Sequence, residues 1–220
     1  MFLRFLHWNQ ITATDLSRVV PKVPRYKLSD IPRHLEWKQV RTLIDNIATT
    51  HPEGIRDKAV LLLISTLGLR RCEVSNMELD WVDWQKGEIR IPKSKTRKER
   101  ILPLPQELGE ALADYILHAR PMLNTRQIFL QHRAPQKELD TSSVSSIIQR
   151  HLKKSGIECS SMGAYLLRHS LATHMVNQGV PIKEISDVLG HKSIDTTAIY
   201  TKVDRSLLIN AALPLPIGGE

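Results

Sequence analysis

Within Ala164 to Val203, AYLLRHSLATHMVNQGVPIKEISDVLGHKSIDTTAIYTKV, the residues Tyr165, Arg168, His191 and Tyr200 are of the types that a phosphate-directed site needs. A guanidinium keeps its charge at any working pH and matches phosphate oxygens with a planar fork of donors. An imidazole gives or takes a hydrogen bond near neutrality, and a phenol supplies an oxygen nucleophile. Taken singly, each has a plainer reading: a surface ion pair for Arg168, a helix-end histidine for His191, a half-buried aromatic for Tyr200. Their combination singles the stretch out. Leu167, Leu171 and Met175 recur every fourth position, which predicts an amphipathic helix with Tyr165 and Arg168 on a neighbouring face. Gly179 stops that helix and Pro181 starts another, whose Ile182, Ile185, Val188 and Leu189 face a core. Gly190 ends it and delivers His191. The polar turn KSIDTT leads into Ala198 to Val203, so Tyr200 is expected on a short, adjustable element.

The elements ahead of this stretch read as its support. Trp37, Val40, Leu43, Ile44 and Ile47 follow helix spacing, with His51-Pro52 closing the segment. Ala59 to Ile64, AVLLLI, has no polar face and predicts a fully buried helix running up to a turn at Gly68. Trp81 to Trp84, Glu88 to Pro92 and Arg100 to Leu104 predict a small antiparallel sheet. The turn before its last strand, KSKTRKER from Lys93 to Arg100, is densely cationic and by itself fits a solvated hairpin tip. A helix at Gln106 to Arg120, a short strand at Ile128 to Leu130 and a helix around Ser142 to Lys154 follow.

Three motifs in order, L-R-H-S-x-A-T-H, L-G-H and I-Y-T-x-V, resemble the signature of the tyrosine recombinases, the phage-integrase family. Two upstream segments extend the resemblance. GLRRCE is similar to the family's G-L-R-x-S-E, which makes Arg70 the first catalytic arginine and Glu73 its supporting acid, with Cys72 in place of serine. Lys95-Thr96-Arg97-Lys98-Glu99-Arg100 resembles the K-x-x-K-E-R of a β-hairpin that inserts a lysine into the DNA minor groove. That alignment selects Lys95, with Lys93 as the other choice, and assigns Lys93, Arg97, Lys98 and Arg100 to DNA contact. The family resemblance implies a mainly helical α+β catalytic domain acting on duplex DNA. Tyr200 would attack the phosphodiester to give a 3′-phosphotyrosyl intermediate, Arg70 and Arg168 would clamp the non-bridging oxygens, Lys95 would protonate the leaving 5′-oxygen, and His191 would bond the phosphate or the attacking phenol. One position departs from the pattern: where the family has histidine in H-x-x-R, this chain has Tyr165. A phenol with a pKa of about 10 donates a hydrogen bond but is a poor base at neutral pH.

Lys plus Arg number 31 against 23 Asp plus Glu, a formal charge of +8, which favours a polyanionic partner. No cofactor is expected, since there is no nucleotide-binding loop and no metal-ligand spacing. No apolar run reaches membrane-spanning length, and MFLRFLHW lacks a signal-peptide body, so a cytoplasmic protein without a membrane partner is expected. The distant Cys72 and Cys159 fit a reducing compartment. Residues 1–31 read as a short helix plus a Pro-containing linker, resembling the last helix of the family's DNA-gripping domain, with the catalytic domain at 32–216. A truncated copy and a naturally short member, similar to the small fimbrial-switch invertases, both fit this start. The tail at 204–213 carries an apolar face for docking on a neighbouring protomer on DNA or on its own domain. Two other functions stand beside recombination: a non-catalytic DNA-binding module, since Ile147 to Gly190 echoes helix-turn-helix spacing, and an inactive remnant.

Overall fold

The computed structural model describes residues 2–18, 33–93, 99–157, 163–191 and 197. Its organising element is the helix α3 (Pro52–Leu67), where Ala59 through Ile64 are all fully buried, as AVLLLI predicts. Each fully buried Val, Leu or Ile side chain there contributes about 1.5–3 kcal/mol relative to exposure. Pro52 occupies the first turn, where its missing N–H costs nothing and its fixed φ suits the helix. His51-Pro52 therefore opens α3 rather than closing the preceding segment, and α2 (Trp37–Asp45) ends earlier, at Asn46. Val40, Leu43 and Ile44 of α2 are buried at the expected spacing. Around α3 pack α2, α4 (Arg71–Ser75), α5 (Gln106–Asp114), α6 (Thr141–Lys154) and α7 (Gly163–Asn177). The helix α8 (Ile182–Leu189) packs on α7 and touches the sheet.

The sheet is a meander, β1 (Val82–Asp83), β2 (Glu88–Ile91) and β3 (Arg100–Pro103), antiparallel throughout. Its register pairs Ile91 with Arg100 and Ile89 with Leu102. Ile89, Ile91 and Leu102 are buried while Ile101 is exposed, the alternation that a one-faced sheet requires. The expected helix at 106–120 is α5 continued by a π-helical turn at Tyr115–Ala119. Ile128 to Leu130 is not a strand of a sheet. Its residues are fully buried, and only the isolated bridges Glu78 to Gln127 and Leu130 to Glu138 are made there. The backbone of that segment is satisfied piecemeal: Ile128 N donates to Met77 O at 2.8 Å, and Leu130 N to the Tyr115 hydroxyl at 3.1 Å. A buried segment can meet its hydrogen-bonding needs without a ladder.

At the start of α3 a polar cluster replaces apolar packing. Asp57 Oδ1 accepts from Arg56 at 2.8 and 3.0 Å, and Oδ2 lies 2.5 Å from Arg150 Nη2 and 2.9 Å from His151 Nε2. Arg56 also donates to Leu130 O at 3.2 Å, so the Arg56–Asp57 pair ties α3 to the 128–130 segment through the guanidinium and to α6 through the carboxylate. The chain divides into two units, Met1–Asp30 and Ile31–Glu220. In the first, α1 (Phe2–Trp8) has no buried residue, and Phe2, Phe5 and Trp8 are exposed.

Candidate active site

The carbonyl ends of α3 and α8 meet, and three arginines gather there. Both helices end in a glycine with left-handed φ, Gly68 at +61° and Gly190 at +59°. A Cβ on Gly68 would lie 2.5 Å from Leu189 Cδ2 and would have to push that methyl aside, on top of the strain of the left-handed φ. Arg168, on α7, is buried and spans the junction: Nη1 donates to Gly68 O and Nη2 to Leu189 O. Helix C-termini carry unpaired carbonyls and partial negative charge, so they accept a buried cation.

Arg70 caps α4. Its backbone N–H donates to Glu73 Oε2 at 2.9 Å, its Nη1 to Glu73 Oε1 at 3.2 Å, and its Nη2 to Gly190 O at 2.8 Å. Arg100, the first residue of β3, donates Nη1 to Glu73 Oε1 at 3.1 Å and Nη2 to Oε2 at 2.8 Å. Glu73 is thus a buried hub between two arginines. Burial by itself raises a carboxyl pKa, but the hydrogen bonds and charge of Arg100, with those of Arg70, hold this one down to about 2.

His191 follows Gly190 directly, and its Nδ1 lies 2.7 Å from the hydroxyl of the buried Thr197. Burial and then the charges of Arg168 and Arg70 push its pKa down to about 3, so the imidazole is neutral at working pH. Its neighbour His169 is also buried and is lowered to about 4 by burial, Arg168 and His34. The cluster therefore holds three permanent cations, one carboxylate and neutral imidazoles. That surplus of positive charge, gathered at one point, suits an anion with several oxygens.

A model of the phage integrase family matches residues 33–206 of this chain. The chain belongs to the phage integrase family. The putative integrase/recombinase y4rF of Sinorhizobium fredii is 45% identical over 219 residues, covering 99% of this chain and 52% of that protein. The chain thus spans about half the length of the curated relatives that it matches first. Among solved structures, the crystal structure of XerA recombinase is similar with a TM-score of 0.70 at 25% identity, over 96% of this chain and 79% of that one. XerH site-specific recombinase bound to a palindromic difH substrate shares the fold, with a TM-score of 0.74 at 22% identity, over 88% of this chain and 56% of that one.

Of the residues that the integrase motifs single out, Arg70, Glu73, Arg168 and His191 come together around the two helix ends. Tyr200, Lys95, Arg97 and Lys98 lie outside the described residues, as do Cys159 and the tail at 204–213. Lys93 is exposed, two residues past the end of β2. Arg100 is a correction to the sequence reading: rather than reaching for DNA from the hairpin, its side chain is 9% exposed and grips Glu73. The bidentate partner of Glu73 is accordingly Arg100 and not Arg70. Strand alternation could have revealed this, because Arg100 shares its face with the buried Leu102, while Ile101 between them points outward. Tyr165 and Arg168 do not share an exposed face. Arg168 turns inward, whereas Tyr165 is 53% exposed and sets its ring edge-on against His169, with centroids 3.7 Å apart. The partnership of Thr197 with His191 and the burial of His169 had no signal in spacing alone. Among the described residues no group of His, Cys, Asp and Glu could hold a metal ion, and no helix is long and apolar enough to cross a membrane.

Proposed function

We propose that residues 32–216 form the strand-transfer unit of a site-specific tyrosine recombinase acting on duplex DNA in the cytoplasm. The observation that carries this reading is the gathering of Arg70 and Arg100 on one carboxylate with Arg168 on the neighbouring helix-end carbonyls, beside a histidine kept neutral. A phosphodiester under in-line attack gathers charge on its non-bridging oxygens, and fixed guanidinium groups stabilise that charge without reorganising. His191 donates or accepts a hydrogen bond there without adding charge. Tyr200 is the nucleophile. Its oxygen forms a bond to phosphorus as the bond to the 5′-oxygen breaks; the phenol's proton passes to water, and the leaving oxygen takes one from Lys95, which is left neutral until it regains a proton from water. The phosphotyrosyl bond conserves the energy of the diester, so the 5′-hydroxyl of a second strand reverses the step without ATP. The 204–213 segment joins protomers on DNA.

Tyr200→Phe tests the assignment. A duplex captured covalently from a randomised nicked pool by the wild-type chain serves as substrate. The variant is expected to form no adduct while binding that duplex with nearly unchanged affinity. An adduct that persists in the variant would overturn the choice of nucleophile, and a wild-type chain that binds but never captures DNA would make this a binding module or an inactive remnant.

A further inference from the structure

We infer that Arg100 is a positioning residue of this site, one that sets Arg70 through their shared carboxylate and the His191 turn through Gly190. The inference rests on the recombinase reading above and assigns a role that the DNA-contact expectation for Arg100 does not include. Three observations carry it. Glu73 is the acid that holds both the backbone N–H and Nη1 of Arg70, and Arg100 occupies both oxygens of that acid. A carboxylate gripped by a two-pronged guanidinium has its plane fixed, so the direction in which it presents Oε1 to Arg70 is fixed as well. Second, Arg100 and Arg70 sit on two sides of one residue. Arg70 Nη2 takes the carbonyl of Gly190 at 2.8 Å, and a Cβ at Gly190 would lie 2.7 Å from Arg100 Nη1. The glycine of L-G-H supplies the left-handed φ, and Arg100 lies against the backbone that precedes His191 where a Cβ would have to displace its guanidinium. Third, Arg100 begins β3 in register with Ile91, so its backbone is held by the sheet while its side chain reaches the helix ends. It is an anchor built on a ladder, aimed at the carboxylate that holds a neighbouring arginine.

The test uses Arg100→Gln and Arg100→Lys in the full chain, with adduct formation followed in single turnover on the captured nicked duplex. Arg100→Gln is expected to slow adduct formation roughly 10–100-fold, the usual loss when a supporting partner is removed. Half-saturation by the duplex should stay unchanged. Arg100→Lys keeps the charge but not the fork and should fall between. A second substrate separates positioning from general damage to the fold. When one non-bridging oxygen of the scissile phosphate is replaced by methyl, the arginines have no anionic oxygen pair to hold, and the deficit of Arg100→Gln should shrink towards nothing. An equal deficit on both substrates would mean that Arg100 only stabilises the protein. Glu73→Gln combined with Arg100→Gln should lose little more than either change alone, because both act through one link.

A further arm needs no cleavage at all. The guanidinium of Arg70 is held at both terminal nitrogens, so its Nη resonances should be resolved in the wild-type chain and merge in Arg100→Gln. Arg70 signals that are identical in the two proteins would overturn the inference, even if the wild-type chain proved unable to cleave DNA.

Discussion

At the scale of single residues, the ionisation of the arginine cluster sets how the protein answers to acid. Glu73 has its pKa held at about 2, below its ordinary 4.5, so the stability it contributes is fully present above 4.5 and lost as pH falls through 2. His191 behaves in the same direction for the opposite reason. Its folded pKa of about 3 lies below the ordinary 6.5, so the unfolded chain takes up the proton first and stability falls as pH drops from 6.5 towards 3. Thermal melting between these limits should therefore show a steady decline with acid. Glu73→Gln should lower the melting temperature at neutral pH and flatten the part of the decline below 4.5. A variant whose acid profile matches wild type would show that Glu73 is not the titrating link. The His191 ring protons should show no titration between about pH 5 and 8.

At the scale of elements, the site depends on two helices ending where they do. Gly68 stops α3 in the left-handed region, and its carbonyl accepts from Arg168. Gly68→Ala adds a strained φ and a Cβ that meets Leu189 Cδ2 at 2.5 Å and Leu171 Cδ2 at 3.1 Å. The expected loss is roughly 1–3 kcal/mol, read from urea unfolding, and adduct formation should fall beyond what the lost folded fraction explains, because the two acceptors of Arg168 move apart. Unchanged unfolding would mean that the helix ends have slack that the contacts do not suggest. The other helix starts and stops follow local chemistry in the same way. Asp140 caps α6 by accepting from Ser143 N at 2.7 Å, satisfying one of the unpaired N–H groups of a helix start.

At the scale of the main unit, α3 carries the candidate site at its C-terminal end and a structural lock near its N-terminal end. Asp57 is buried with Arg56, His151 and Arg150 around it, and these partners hold its pKa down against burial. Asp57→Ala leaves the buried Arg56 guanidinium without its carboxylate, which typically costs about 3–5 kcal/mol. Circular dichroism melts should show a large drop in melting temperature, whereas a near-native melt would mean that the cluster relaxes into solvent. What the sequence by itself determined is local: the fully apolar AVLLLI core helix, the glycine stops and the small antiparallel sheet; the stripe expected for α7 is instead a helix buried almost all round, with Tyr165 the exposed exception in its first eleven residues. Periodicity tells which face of an element is buried, and a motif tells which residue types stand together in order. Neither names a partner. Arg100 lies 27 positions from Glu73, Arg70 lies 120 from Gly190, and Arg168 lies 100 from Gly68. Which carboxylate Arg100 grips, that His191 sits neutral among cations, and that Ile128 to Leu130 is buried without joining a sheet were decided only when the helices packed. Pairings between buried polar groups follow from which elements pack together, and that packing is a property of the whole core.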